Sequence, residues 1–182
     1  LLILSCVRNL RSLIDRVQVD KSWLNTDIRG YELNNKTLGI IGYGRLGKMV
    51  AKYGKSFGMK VLAHDIDPEK YDKNITPAEF SQLLKESDII SVNAKLNKTS
   101  FRLIDSDEIS LMKKGVILVN TARGEILNSE AISRGIDQNI ISAVGLDVCG
   151  NEYQSSKLPE DLLVKRSFYD LSLIHISEPT RL

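Results

Sequence analysis

The sequence predicts an α/β fold, a doubly wound parallel sheet in three αβα layers. Short apolar, strand-like runs alternate with helix-like segments through most of the 182 residues, the pattern that builds a parallel sheet with helices on its faces. The first run meets its helix at Gly42, Gly44 and Gly47, in G-x-G-x-x-G spacing. The second run ends on an acid, Asp65, eighteen residues beyond Gly47.

Residues 1–18 read as a leading amphipathic helix. Ile3, Val7, Leu10, Ile14 and Val17 recur at steps of four, three, four and three, with Arg8, Arg11, Asp15 and Arg16 between them. The core is expected over residues 36–147. Leu38, Ile40 and Ile41 make a short buried strand, and Leu46, Met49, Val50 and Tyr53 follow at helical spacing. A second strand is expected over 60–64. Thr76-Pro-Ala-Glu79 has the form of a capping box with proline at the first helical position, opening a helix through Leu84. Residues 88–93 read as a buried strand, and Ser106 as the cap of a helix that stops at Lys114-Gly115. A strand over 116–120, a helix from Ser129 and a strand over 140–146 complete the pattern.

In open sheets of this kind, ligands bind beyond the carboxyl ends of the strands. Those ends are Gly42 to Gly47, Asp65, Asn93-Ala94, Thr121-Ala-Arg-Gly124 and Asp147, and they are expected to share one crevice. In the glycine loop the first glycine permits a tight turn. The second lets backbone approach a pyrophosphate, and the third lets helix and strand pack closely. The helix N-terminus adds free N–H groups and partial positive charge. A carboxylate at Asp65 would accept hydrogen bonds from the adenosine ribose and repel a 2′-phosphate, which selects NAD over NADP. The competing reading of Asp65 is a residue that opens the turn Asp65-Ile-Asp-Pro68. Together these features define a Rossmann-type dinucleotide-binding domain.

Composition excludes several other classes. The chain is 42% hydrophobic and 26% charged with a net charge of +2, ordinary for a globular domain. It shows no basic cluster that would point to nucleic acid. No segment has the length of a membrane span. Cys6 and Cys149 are too few for a disulfide framework and too far apart for a metal-ligand pair, so no metal is expected and a reducing cytoplasm fits. Both cysteines read as small core residues. The chain starts without methionine inside a helix and reads as a fragment. Residues 171–182 resemble an in-frame translation of a transposase-type sequencing adaptor, so that tail, with His175, is set apart as non-native.

At Asn120-Thr-Ala-Arg-Gly124 and Gly145-Leu-Asp-Val148, with Leu111-Met-Lys-Lys-Gly115 and Ser87-Asp-Ile-Ile before them, the chain resembles the D-isomer-specific 2-hydroxyacid dehydrogenases. The resemblance covers nearly all of residues 1–152 and corresponds to that family's nucleotide-binding domain. It implies that residues 1–170 are the cofactor domain of a truncated two-domain enzyme whose substrate domain is absent. Carried over residue by residue, Gly42, Gly44, Arg45, Leu46 and Gly47 match the pyrophosphate site and Asp65 the ribose acid. Ala94, Thr121 and Ala122 match the groove lining. Arg123 matches the catalytic arginine and is also counted among the cofactor-binding residues, Asp147 matches the aspartate near the nicotinamide carboxamide, and Glu152 the carboxylate that pairs with a catalytic histidine. The implied reaction is reversible, NAD-dependent reduction of a 2-oxo acid to a D-2-hydroxy acid by a homodimer.

Chemistry explains the residue types. A guanidinium can grip a carboxylate in two places and polarise the adjacent carbonyl. A histidine with a neighbouring carboxylate has its pKa raised toward working pH and can supply the proton. The family's histidine follows Thr-Pro or Ser-Pro, and no such motif precedes His175; the fragment is therefore expected to bind NAD without turnover. The residues around Glu152 also depart from the family pattern, which leaves a solvated loop glutamate as the competing reading. Lys95 stands where the family often carries proline. His64, at a strand end beside Asp65, reads as structural. Two other classes remain: an NAD-sensing interaction module of the corepressor type, and another NAD-holding enzyme of the same fold.

Overall fold

The computed structural model describes residues 1–22 and 29–148, together with the backbone of 168–170. Glu152, Cys149, His175 and the 171–182 tail lie outside the described residues.

Among the described residues, seven strands form one parallel sheet in the order β3-β2-β1-β4-β5-β6-β7. They are β1 (Thr37–Ile41), β2 (Lys60–His64), β3 (Thr76–Pro77), β4 (Ile89–Val92), β5 (Val116–Asn120), β6 (Ile141–Leu146) and β7 (Phe168–Asp170). The central strands are apolar at nearly every position because both faces are covered. Alternate residues of β5 show this: Val116 and Leu118 join one buried cluster, Ile117 and Val119 the other. On the first face lie α4 (Phe80–Glu86), α5 (Ser106–Leu111) and α6 (Ser129–Asp137), which contribute Leu83, Ile109 and Ile132. On the second lie α1 (Leu2–Val7) and α3 (Arg45–Ser56), with Cys6, Val7 and Ala51. The doubly wound, three-layer fold expected from the sequence is therefore present.

Several local expectations are corrected. The leading helix is two helices, α1 and α2 (Leu10–Gln18), broken at Asn9, which takes left-handed φ 49° and ψ 40°. Asparagine tolerates that conformation, and the Asn9 side-chain amide donates to the Arg29 carbonyl at 3.0 Å. The apolar seam divides with it. Val7 is 1% exposed, whereas Leu10, Ile14 and Val17 are 41 to 47% exposed.

Thr76-Pro77 does not open a helix. It forms the edge strand β3, paired Leu62 to Thr76 and Ala63 to Pro77, and α4 waits until Phe80. The sheet edge claims this backbone, and an edge is where proline is tolerated in a sheet. The cap of α5 is Asp105, one residue before Ser106, in a complete capping box with Glu108.

On α3 the helical spacing holds, and three of its large apolar residues face outward. Leu46, Met49 and Tyr53 are 47 to 56% exposed, and the buried face is Gly47, Ala51 and Gly54. A Cβ at Gly54 would come 2.6 Å from Leu38 Cδ2. Small residues let this helix lie close on β1 and β2.

Candidate functional site

The strands end in register. Across the sheet, His64 pairs with Ile41, Ile41 with Val92, Val92 with Asn120, and Asn120 with Leu146. One residue further on, Gly42 donates its N–H to the His64 carbonyl and Asn93 to that of Ile41; Asp147 donates to Asn120. Asp65, Gly42, Asn93, Thr121 and Asp147 therefore leave the same edge of the sheet, but among the described residues the single crevice expected of them is not what forms: the cleft is lined by the β2, β1 and β4 ends and not by residues 121–124 or Asp147.

A cleft of about 450 Å³ opens over the β2, β1 and β4 part of this edge. Gly42, Gly44, Asp65 and Ala94 line it, together with His64, Lys70 and Phe80. The three glycines of the turn are required for different reasons. Gly42 has φ +91°, and a Cβ there would meet the Ala94 backbone nitrogen at 2.6 Å; fold geometry alone demands glycine. A Cβ at Gly47 would collide with the Gly42 carbonyl oxygen, so helix packing demands it. A Cβ at Gly44 would meet nothing within 4 Å. The space kept clear at Gly44 opens α3, whose first N–H groups have no partner within the helix. This is the room a pyrophosphate requires, so the loop fits a dinucleotide. Arg45 and Leu46, the next two residues, are both exposed at the start of α3.

Asp65 is held by the loop around it. Its Oδ2 accepts the Tyr43 backbone N–H at 2.8 Å, and its Oδ1 accepts the Asp67 N–H at 3.0 Å and the Lys70 ammonium at 2.9 Å. Burial would raise the carboxyl pKa, but the Lys70, Asp67 and Tyr43 hydrogen bonds outweigh it and hold the group below the usual carboxylate range. The loop itself is stapled. The Tyr71 hydroxyl accepts the Asp65 N–H at 2.7 Å, and its ring stacks on Tyr43 with centroids 5.9 Å apart. The Tyr43 hydroxyl donates to Asp72 at 3.0 Å. Burial and that bond push the Tyr43 phenol up to about 12.

His64 has its Nδ1 3.1 Å from the Ala78 carbonyl and its ring 5.2 Å from Phe80. With N–H on Nδ1 it props the cleft wall, consistent with a structural role.

Thr121, Ala122 and Arg123 lie past β5, outside the lining of this cleft. Their turn is shaped by Asn120, a fully buried side chain that the sequence reading did not single out. Its amide donates to the Arg123 carbonyl at 2.8 Å and its oxygen accepts the Ala122 N–H at 3.0 Å. A polar residue closing the apolar run 116–119 was the available signal. Arg123 itself is exposed, and its guanidinium donates to the Ala122 carbonyl at 2.7 Å. Asp147 is half-buried at the end of β6. Lys70 was likewise missed, because nothing in its spacing shows that the loop folds it back on Asp65. Among the described residues no cluster of His, Cys, Asp or Glu could hold a metal ion, and no helix is long and apolar enough to cross a membrane.

A glycine turn kept open between strand and helix, with an acid at the end of the next strand, defines a dinucleotide-binding protein of the Rossmann class. The family model for the D-isomer specific 2-hydroxyacid dehydrogenase NAD-binding domain matches residues 1–170, and the chain belongs to that family. Over 162 residues it is 36% identical to hydroxypyruvate reductase of Thermotoga maritima, covering 89% of this chain and 53% of the relative. Over 126 residues it is 40% identical to glyoxylate reductase of Thermococcus litoralis, covering 68% of this chain and 38% of that one. Among solved structures, D-lactate dehydrogenase of Aquifex aeolicus, complexed with NAD and lactic acid, superposes with a TM-score of 0.81 at 36% identity, over 93% of this chain and 55% of the other. A glyoxylate reductase from Paecilomyes thermophila gives a TM-score of 0.85 at 31% identity, over 98% and 54%. The chain spans about half the length of these relatives or less.

Proposed function

We propose that residues 1–170 are the cofactor-binding half of a dehydrogenase that interconverts a D-2-hydroxy acid and its 2-oxo acid. Bound NAD supplies or accepts the hydride. Gly44 with Arg45 and Leu46 receives the pyrophosphate, Asp65 takes the ribose hydroxyls, and Ala94, Thr121 and Ala122 line the groove. Asp147 holds the carboxamide. Arg123 grips the substrate carboxylate and polarises its carbonyl, and Glu152 pairs with the histidine that supplies the proton. The small 2-oxo acids reduced by the named relatives set the substrate class.

The observation that carries this reading is Gly44, a glycine that nothing in the described protein requires. The test is NADH titration of the 182-residue chain, followed by fluorescence, beside Gly44→Val. The wild type is expected to bind and Gly44→Val to fold normally while losing NADH at least tenfold; an unaltered affinity in the variant would overturn the reading.

Turnover by this chain alone is not expected. His64 is the one histidine among the described residues, and three interstrand spacings separate its row position from Asn120, roughly 14 Å. Reduction of glyoxylate, hydroxypyruvate or pyruvate by the chain would refute this.

The half-exposed Leu10, Ile14 and Val17 on α2 support a homodimer. Sedimentation should show dimers that Ile14→Asp dissociates; a monomeric wild type would count against that assembly. Burial pushes the Cys6 thiol up to about 12, as fits an unreactive core residue.

A further inference from the structure

The ribose end of the cleft carries a cation that the simple rule for NAD preference leaves out. The rule rests on the repulsion between an acid and a 2′-phosphate. Here the acid is Asp65, and the Lys70 ammonium lies 2.9 Å from its Oδ1 and 3.9 Å from Asp67 Oδ2. Lys70 returns over Asp65 because its loop is fastened on both sides, by the Tyr71 hydroxyl on the Asp65 N–H and by the Asp67 cap on the Glu69 N–H at 3.1 Å. Lys70 and Asp65 both line the cleft, and the Lys70 side chain is 41% exposed while that of Asp65 is 6% exposed. An incoming group therefore meets the ammonium more readily than the Asp65 carboxylate, with the Asp67 carboxylate, 45% exposed, on the outer side of the ammonium.

We propose that Lys70 is a specificity-determining residue: its ammonium offsets the Asp65 charge at the ribose and gives the chain measurable affinity for the 2′-phosphorylated dinucleotide NADP(H) beside NAD(H). When NADH binds, the ribose hydroxyls share Asp65 and Lys70 turns toward Asp67. When NADPH binds, Lys70 stays as counter-ion to the phosphate. A lysine serves here as a mobile point charge, since its flexible stem lets one ammonium reach either partner. This inference rests on the dinucleotide reading above and extends it to the choice of cofactor.

The experiment is parallel titration of the 182-residue chain with NADH and NADPH, and with AMP and adenosine 2′,5′-bisphosphate, for wild type, Lys70→Ala and Lys70→Arg. The wild type is expected to bind both dinucleotides, NADPH with the steeper salt dependence. Lys70→Ala should widen the NADH-to-NADPH affinity ratio by about tenfold, the scale of one lost charge contact near a surface. The adenosine pair should follow the same ratio, and Lys70→Arg should restore it. A ratio unchanged in Lys70→Ala would overturn the proposal, as would an equal loss of both ligands, which would make Lys70 only a prop for the loop. Binding of NADH with none of NADPH would also overturn it while leaving the dinucleotide reading intact; failure of both to bind would sink that reading and the proposal together.

Discussion

The two ends of the strand-edge groove are built to different degrees. At the β2–β1 end, Asp65 holds three donors, two tyrosines staple its loop, and Gly42 turns with no room for a side chain. At the β5–β6 end, Arg123 is exposed and its guanidinium reaches the carbonyl of its own neighbour, Ala122. The first end has its shape from this chain alone. The second presents a guanidinium on a turn tied by Asn120.

The largest expected effect comes from Gly42→Ala. With φ +91° and backbone atoms of Asn93 and Ala94 within 2.7 Å of the added Cβ, the turn must move. Denaturant unfolding should show a loss of about 2 kcal/mol or more, along with loss of NADH binding. Gly44→Ala, two residues away, should change stability by less than about 1 kcal/mol. Equal destabilisation by the two would erase the distinction between a glycine the fold needs and one the ligand needs.

Asn120→Ala probes the other end. It leaves the Ala122 N–H and Arg123 carbonyl without their side-chain partner, a loss of about 1 to 3 kcal/mol. NADH binding should weaken less than in the Gly44 variant.

Asp65 gives a pH signature. Its folded pKa lies below the unfolded value of 3.8, so its contribution to stability is full above that value and is lost as pH falls through the folded pKa. Urea midpoints of wild type and Asp65→Asn should differ at pH 7 and converge as the pH drops below 3.8. NADH affinity of the wild type should be flat from neutral pH down to about 5, where the carboxylate stays ionised. A gap in midpoints that persists unchanged through acid would show that charge is not what Asp65 contributes.

The smallest effect is expected for Arg123→Ala. An exposed side chain with one local bond should change stability by no more than about 0.5 kcal/mol and NADH affinity by less than about threefold. A large loss of either would mean that the two ends are coupled.

Much of this molecule was legible in the chain. Strand 60–64 falls where its apolar run places it, and 116–120 likewise, because strands covered on both faces must be apolar throughout. The glycine spacing and the acid at Asp65 were legible for the same local reason: a tight turn and a strand end each impose a residue type. The Thr76-Pro77 segment was misread because the capping pattern and the edge-strand pattern use the same residues, and pairing with β2 decides between them. Which face of α3 is buried was not legible, because period alone cannot say which of two faces turns inward; the close approach allowed by Gly47, Ala51 and Gly54 decides it.

The sequence by itself determined the fold class, the alternation of the main strands and helices and the residue types along the strand ends, since periodicity and glycine spacing are properties of neighbouring residues. Only the tertiary structure decided that Lys70 returns to Asp65, that Asn120 ties the turn at Arg123, and that Asn9 breaks the leading helix. Each of those depends on a partner brought near by the sheet or by a loop closing on itself, and such a contact leaves no periodic trace in the chain.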